Sequence, residues 1–310
     1  MLLADAISPP VELHTLLTGW RTGPLSLVVL ALEVALAVWY VVSVRRLAGR
    51  GRHWSPARTW SFLSGIVLAI VALQSGLAAY GTSVFWVYVI QHMLLMNVVP
   101  VLFALAAPVT LALQASSRPT QHRLLAVIHN PVIEFFTNPF FVAVAVYATM
   151  LIYFLSPFYN FTLEHPWLHD LAYLHFLLSG YLFWWLIVGR DPSRWRLSHP
   201  AKLGLLAVGI PVNAILGVSL TGAVTSIAPH FHTLADTKAG GSILWVVGEL
   251  FSLVALGIVL YQWMQLEERE AVRADRRSDA AAAMAASPTH NGAAHNGAAH
   301  NGSTGSAADH

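Results

Sequence analysis

Seven long apolar stretches run through the chain, at about 24–44, 59–80, 84–107, 139–156, 168–189, 201–220 and 241–263. A helix needs roughly 20 consecutive apolar residues to cross a 30 Å hydrocarbon core, and most of these stretches are that long. The fourth is the shortest. Only 10% of the residues are charged and 56% are hydrophobic, with a mean hydropathy of +0.60, whereas a soluble domain carries about 25% charged residues. The fold class expected is an all-α membrane protein, a bundle of seven transmembrane helices in a lipid bilayer. Pro100 lies inside the third stretch and Pro108 near its end, so a kink is expected at the first and helix termination before the second.

The loops segregate the charges. Arg45, Arg46, Arg50, Arg52 and Arg58 follow the first span, Arg118 and Arg123 the third, Arg190, Arg194, Arg196 and Lys202 the fifth, and Arg269, Arg273, Arg276 and Arg277 the seventh. Of 17 basic residues, Arg21 and Lys238 alone fall on the other side. The positive-inside rule then puts the N-terminus outside and the C-terminus in the cytoplasm. A net charge of +2 distributed in this way gives no reason to expect a nucleic-acid partner. The absence of cysteine excludes disulfides and thiolate metal sites. The first residues include Asp5 and Glu12 and no basic segment, so no cleavable signal peptide is expected.

Six spans carry a polar or ionisable residue at one depth: Glu33, Gln74, His92, His175, Asn213 and Glu249. Each lies about 8–12 Å from the end of its span at 1.5 Å per residue, and with alternating spans all six belong to the outer half of the membrane. Such groups are expensive in lipid and mark a functional site by default, although an amide such as Gln74 or Asn213 can serve only to bridge helices. Tyr88, His92 and Met96 share one helical face, while Met93 is expected to point elsewhere. Imidazole with thioether suits copper better than magnesium or calcium. On the outer side His165 and His169 precede His175, which at six residues from His169 faces away from it. His230, His232 and Asp236 precede the last span. The metal-ligand candidates are His92, Met96, His169 and His175, with Glu33, Gln74, Asn213, Asp236 and Glu249 as buried polar or charge-balancing groups.

Trp20, Trp54, Trp60, Trp86, Tyr159, Trp167, Trp184, Trp185 and Trp263 read as an interfacial aromatic belt. The organisation expected is an extracytoplasmic segment over 1–23, a membrane domain over 24–263 and a charged helical extension over 264–279. A low-complexity tail of Ala, Gly, Asn and His over 280–310 is expected to be disordered.

Several segments in order resemble the seven-helix CtaG family of cytochrome c oxidase assembly proteins. They are Trp20-Arg21, Arg45-Arg46-Leu47 with Gly51-Arg52-His53-Trp54, Gln91-His92-Met93-Leu94-Leu95-Met96, Ala107-Pro108-Val109-Thr110, His175-Phe176-Leu177-Leu178-Ser179-Gly180, Gly189-Arg190-Asp191-Pro192, and Asp236 with Gly240-Gly241, Trp245 and Gly248-Glu249. The resemblance implies a multi-pass plasma-membrane protein, not an enzyme, that works with cytochrome c oxidase subunits and helps copper reach the oxidase. It marks His92, His169, His175, Asp236, Trp245 and Glu249 as matched positions. Tyr88 and Asn213 stand where many members carry histidine, which removes two imidazoles from the layer.

Three functions stay open at this stage: a factor that holds or passes copper, a metal-free biogenesis scaffold, and a small-cation or proton transporter. The largely apolar inner halves of the spans weigh against the last. A retinal pigment is excluded because the last span has no lysine for a Schiff base.

Overall fold

The computed structural model describes residues 19–286, and every element among them is helical. In chain order they are α1 (Pro24–Ala48), α2 (Pro56–Gln74), α3 (Gly76–Tyr80), α4 (Phe85–Met93), a π-helical turn (Leu94–Val98), α5 (Val99–Ala106), α6 (Pro108–Ala115), α7 (Arg118–Ile128), α8 (Pro131–Phe136), α9 (Pro139–Ala143), a second π-turn (Val144–Ala148), α10 (Thr149–Leu155), α11 (Phe158–Glu164), α12 (Pro166–Val188), α13 (His199–Thr221) and α14 (Leu234–Ala286). Six stretches are long and apolar enough to cross a membrane: Pro24–Ala48, Pro56–Tyr80, Phe85–Ala115, Pro166–Val188, His199–Thr221 and Leu234–Ala282. In the place of the fourth expected crossing stand Pro139–Leu155 and α11, which are long and apolar enough only together and are bent by 76° at the break between them. The cause is Pro157, which excludes its predecessor from the helical region; Ser156 lies at φ −119°, ψ 170°.

Proline starts many of these helices. Pro24, Pro56, Pro108 and Pro166 occupy the first turn, where the missing N–H would have had no partner anyway. Inside the third span Pro100 acts differently. It cannot donate to the Met96 carbonyl, and a π-turn rather than a simple kink occupies Leu94–Val98 just before it. Gly180 of α12 packs onto that place: a Cβ there would come 2.4 Å from the Met96 carbonyl oxygen. Close approach through a small residue is a common way for membrane helices to associate.

The third span ends its first section at Ala107, as expected from Pro108, with φ 52° and ψ 57°. The loop after α12 holds this break from both sides. Arg190 Nη1 donates to the Leu105 carbonyl at 3.0 Å. Asp191 accepts from the Val109 and Thr110 amides at 3.2 and 2.7 Å and from the Thr110 hydroxyl at 2.6 Å. A carboxylate therefore caps α6 in trans, where the helix N-terminus favours negative charge. Burial raises the pKa of Asp191, and the Thr110 and Val109 hydrogen bonds oppose that rise.

The helix α1 touches the bundle along one narrow stripe. Tyr40 stacks on Phe62 at 4.0 Å, donates to the Ala106 carbonyl at 2.9 Å and accepts from Trp54 Nε1 at 3.1 Å. The main core lies among the third to seventh spans, around Tyr88, Phe154, Tyr159, Phe176, Leu216 and Leu244.

Two expectations are corrected here. Tyr159, Trp54, Trp184 and Trp185 are buried and not belt residues, whereas Trp20, Trp60 and Trp167 are exposed. The helix α14 also continues to Ala286, into the alanine-rich start of the segment read as a disordered tail; alanine has the highest helix propensity. Residues 19–260 belong to the bundle and 261–286 form a separate unit, a polar helix in which Glu270 and Arg273 share a face. The repeats from His290 onward lie outside the described residues.

Candidate functional site

The end of the bundle where α4 begins is organised by Asp236. Its carboxylate accepts from the Phe85 amide at 2.5 Å and the Trp86 amide at 3.0 Å, capping α4 from the first turn of α14. His232 Nδ1 lies 3.2 Å from the Ser83 carbonyl and 3.6 Å from the Asp236 carboxylate. Both are acceptors, so Nδ1 carries the proton, and Nε2 accepts from the Tyr159 hydroxyl at 2.9 Å. Asp236 is thus a structural anchor. Its signal in the sequence was its place just ahead of a span, which does not distinguish a cap from a ligand.

Burial holds the pKa of His232 below the ordinary histidine value, with Asp236 and the Ser83 carbonyl pulling the other way. The unfolded chain, at about 6.5, then binds the proton more readily than the folded one. Stability contributed here is complete above about pH 6.5, falls as pH drops below that value and stops falling once the folded-state pKa is passed. Thermal unfolding in detergent from about pH 7.5 to about pH 5 should show this loss, and His232→Gln should make it shallower.

A chain of hydrogen bonds runs inward from this anchor. Tyr88, which replaces the expected imidazole, donates to the Tyr153 hydroxyl at 2.8 Å. Tyr153 lies 3.2 Å from Thr162 Oγ1, which donates to the Tyr159 carbonyl at 2.7 Å. Thr162 Oγ1 is also 3.3 Å from His169 Nδ1. His169 Nε2 meets Tyr173 at 2.9 Å, Tyr173 donates to Gln91 Oε1 at 3.0 Å, and Gln91 donates to the Ala72 carbonyl at 2.8 Å. The last bond orients the Gln91 amide, so the Tyr173 proton goes to Gln91 and His169 carries its proton on Nε2. Sequence reasoning missed Tyr153, Thr162 and Tyr173 because the bend at Ser156-Pro157 brings α11 into the bundle.

His92 sits two turns beyond Phe85, fully buried, and neither ring nitrogen has a hydrogen-bond partner. Aromatic rings enclose it: Phe176 meets it edge-on at 4.4 Å, Phe154 at 5.2 Å, and Tyr88 lies at 6.5 Å. His175 points elsewhere from His169, as the spacing requires, and its Nε2 lies 3.1 Å from Thr149 Oγ1. Thr149 in turn donates to the Ala145 carbonyl inside the second π-turn. Met96 borders a cavity together with Met93, and neither Tyr88 nor His92 lines it, so Met96 leaves the face it was expected to share with them. Asn213 borders the same cavity and donates to Ser252 Oγ at 3.3 Å.

The six-residue layer does not close into one pocket. Gln74 accepts from Ser26. Glu33 is buried with both carboxylate oxygens unpartnered. Glu249 is only partly buried, with no hydrogen bond from its side chain among the described residues. Among the described residues no three His, Asp or Glu side chains converge as a metal site. Depth along the span put these groups in one layer, but among the described residues they do not converge on a single site.

Fold and site together define a polytopic helical membrane protein with a polar network at one end of its bundle. Over residues 38–266 the chain matches the model of the cytochrome c oxidase caa3 assembly factor family, Caa3_CtaG, and it belongs to that family. It is 31% identical over 296 residues to an uncharacterized protein of Mycobacterium bovis and to one of Mycobacterium tuberculosis, and 30% identical to one of Mycobacterium leprae. Each alignment covers 90% of this chain and 44% of the relative, so the chain spans less than half the length of these proteins. No solved structure matches the chain.

Proposed function

We propose that the chain is a non-catalytic assembly factor of cytochrome c oxidase in the plasma membrane, and that it helps copper reach the oxidase from the outer face. Family membership supports the assembly role, and the expected topology puts the Asp236 end outside. The observation that carries the copper step is His92, a fully buried imidazole with both nitrogens unpaired. A buried donor or acceptor without a partner costs about 1–3 kcal/mol. A copper ion on the bare nitrogen would relieve that cost, because imidazole is an effective copper ligand. His175 and Met96 lie within the same part of the bundle as further donors, while His169 already uses Nε2 in the tyrosine network.

A metal-free scaffold is the second reading, and the dispersal of Glu33 and Glu249 favours it. Deleting the gene and recording oxidase optical spectra and copper content separates the two. Under the copper reading, the wild-type gene restores the oxidase and His92→Ala restores severalfold less. Full restoration by His92→Ala would leave the scaffold alone standing.

A further inference from the structure

Three of the six methionines in the chain, Met93, Met96 and Met150, line one cavity of about 50 Å³ where the third to seventh spans meet. We propose that this cavity is a thioether site for a cuprous ion; the proposal deepens the copper reading above and rests on it for its physiological meaning.

Methionine is usually the flexible filler of irregular core gaps, and cores leave few voids. Here three of these side chains, each nearly fully buried, surround space that stays open. Glycines at its edge let the surrounding helices approach closely without a side chain entering the space. A Cβ on Gly180 would come 2.4 Å from the Met96 carbonyl oxygen, and one on Gly248 would come 2.9 Å from the Asn213 amide carbon. Both π-turns border the cavity, contributing Met96 and Asn97 on one side and Val146 and Tyr147 on the other. Turns of this kind recur at functional sites. Asn97 Nδ2 lies 3.7 Å from Met93 Sδ and orients that thioether.

The donor set chooses the ion. No carboxylate or imidazole borders the cavity, so nothing there offsets a charge. The cost of bringing an ion into a low-dielectric interior rises with the square of its charge, which favours a monovalent over a divalent ion. Thioether sulfur is a soft ligand that selects Cu(I) over hard cations. The position also suits passage. Met96 lies one helical turn beyond His92, and Met150 follows Thr149, the partner of His175. A cuprous ion held by either imidazole has neutral sulfur donors on the next turn of the same helix or beside its hydrogen-bond partner.

The test uses the full chain in detergent, titrated anaerobically with Cu(I) against a chromophoric chelator, with Ag(I) as a redox-inert probe. One ion per chain and a sulfur shell in X-ray absorption are expected. Leucine conserves the volume of methionine at modest cost, so Met93→Leu, Met96→Leu and Met150→Leu should each weaken binding at least tenfold, and the triple variant should lose it. Selenomethionine-substituted protein supplies a readout without mutation: selenium should show the bound metal as a neighbour. Wild-type affinity in the triple variant, or a shell of nitrogen alone, overturns the site. If instead the triple variant loses Cu(I) but still restores oxidase copper in cells, the thioether site stands and the delivery reading falls.

Discussion

Replacing Asp236 with alanine is expected to destabilise the bundle by about 2–4 kcal/mol, because two backbone donors at the start of α4, one buried and one part-buried, lose their acceptor and a buried one costs about 1–3 kcal/mol unpaired. The carboxylate accepts from the Phe85 and Trp86 amides and lies 3.6 Å from His232 Nδ1. Its charge also sits at a helix N-terminus, a placement worth up to about 2 kcal/mol in partly buried settings. Since α4 carries Tyr88, Gln91 and His92, loosening its first turn also disturbs the hydrogen-bonded chain behind it. Asp236→Asn keeps one acceptor oxygen and should lose distinctly less. The measurement is thermal or denaturant unfolding in detergent. An alanine variant as stable as wild type would show that the cap contributes nothing.

Gly180→Ala should produce a loss of similar size, about 2–3 kcal/mol, from one added methyl group. The methyl has no room to move aside, because its nearest neighbours are backbone atoms of Met96: the carbonyl oxygen at 2.4 Å, the carbonyl carbon at 3.0 Å and Cα at 3.0 Å. The helices α12 and α5 must separate, and the π-turn between Met93 and Val99 moves with them. Gly204 provides the control. Nothing lies within 4 Å of a Cβ there, and alanine is the better helix former by about 1 kcal/mol in a helix interior. Gly204→Ala should therefore leave stability unchanged or raise it. Equal effects at the two positions would contradict the packing described at Met96.

What the sequence made legible was mostly position along the membrane normal. Apolar run lengths set the spans, and Pro108 marked the break at Ala107. Six residues between His169 and His175 correctly implied opposite faces. Rotation about each helix axis was harder to read. Glu249 and Glu33 share a depth with His92, yet the depth alone carries no information about which neighbour each one faces. The same gap explains Trp184, Trp185 and Tyr159, whose ring type and nearness to span ends suit either an interface or a core. The π-turns were hidden for another reason. Pro100 removes one donor, but Gly180, which packs onto Met96 within the turn, is 80 residues further along the chain. The tyrosine network needs the bend at Ser156-Pro157 and so appears only once the chain is folded.

The copper-to-haem ratio of oxidase isolated from a strain lacking the gene, with and without copper added to the medium, separates copper delivery from scaffolding most directly. Oxidase protein that is present but short of copper, and is refilled when the medium is copper-rich, is the predicted result. A normal ratio in whatever oxidase remains, with its amount unchanged by added copper, would contradict the account.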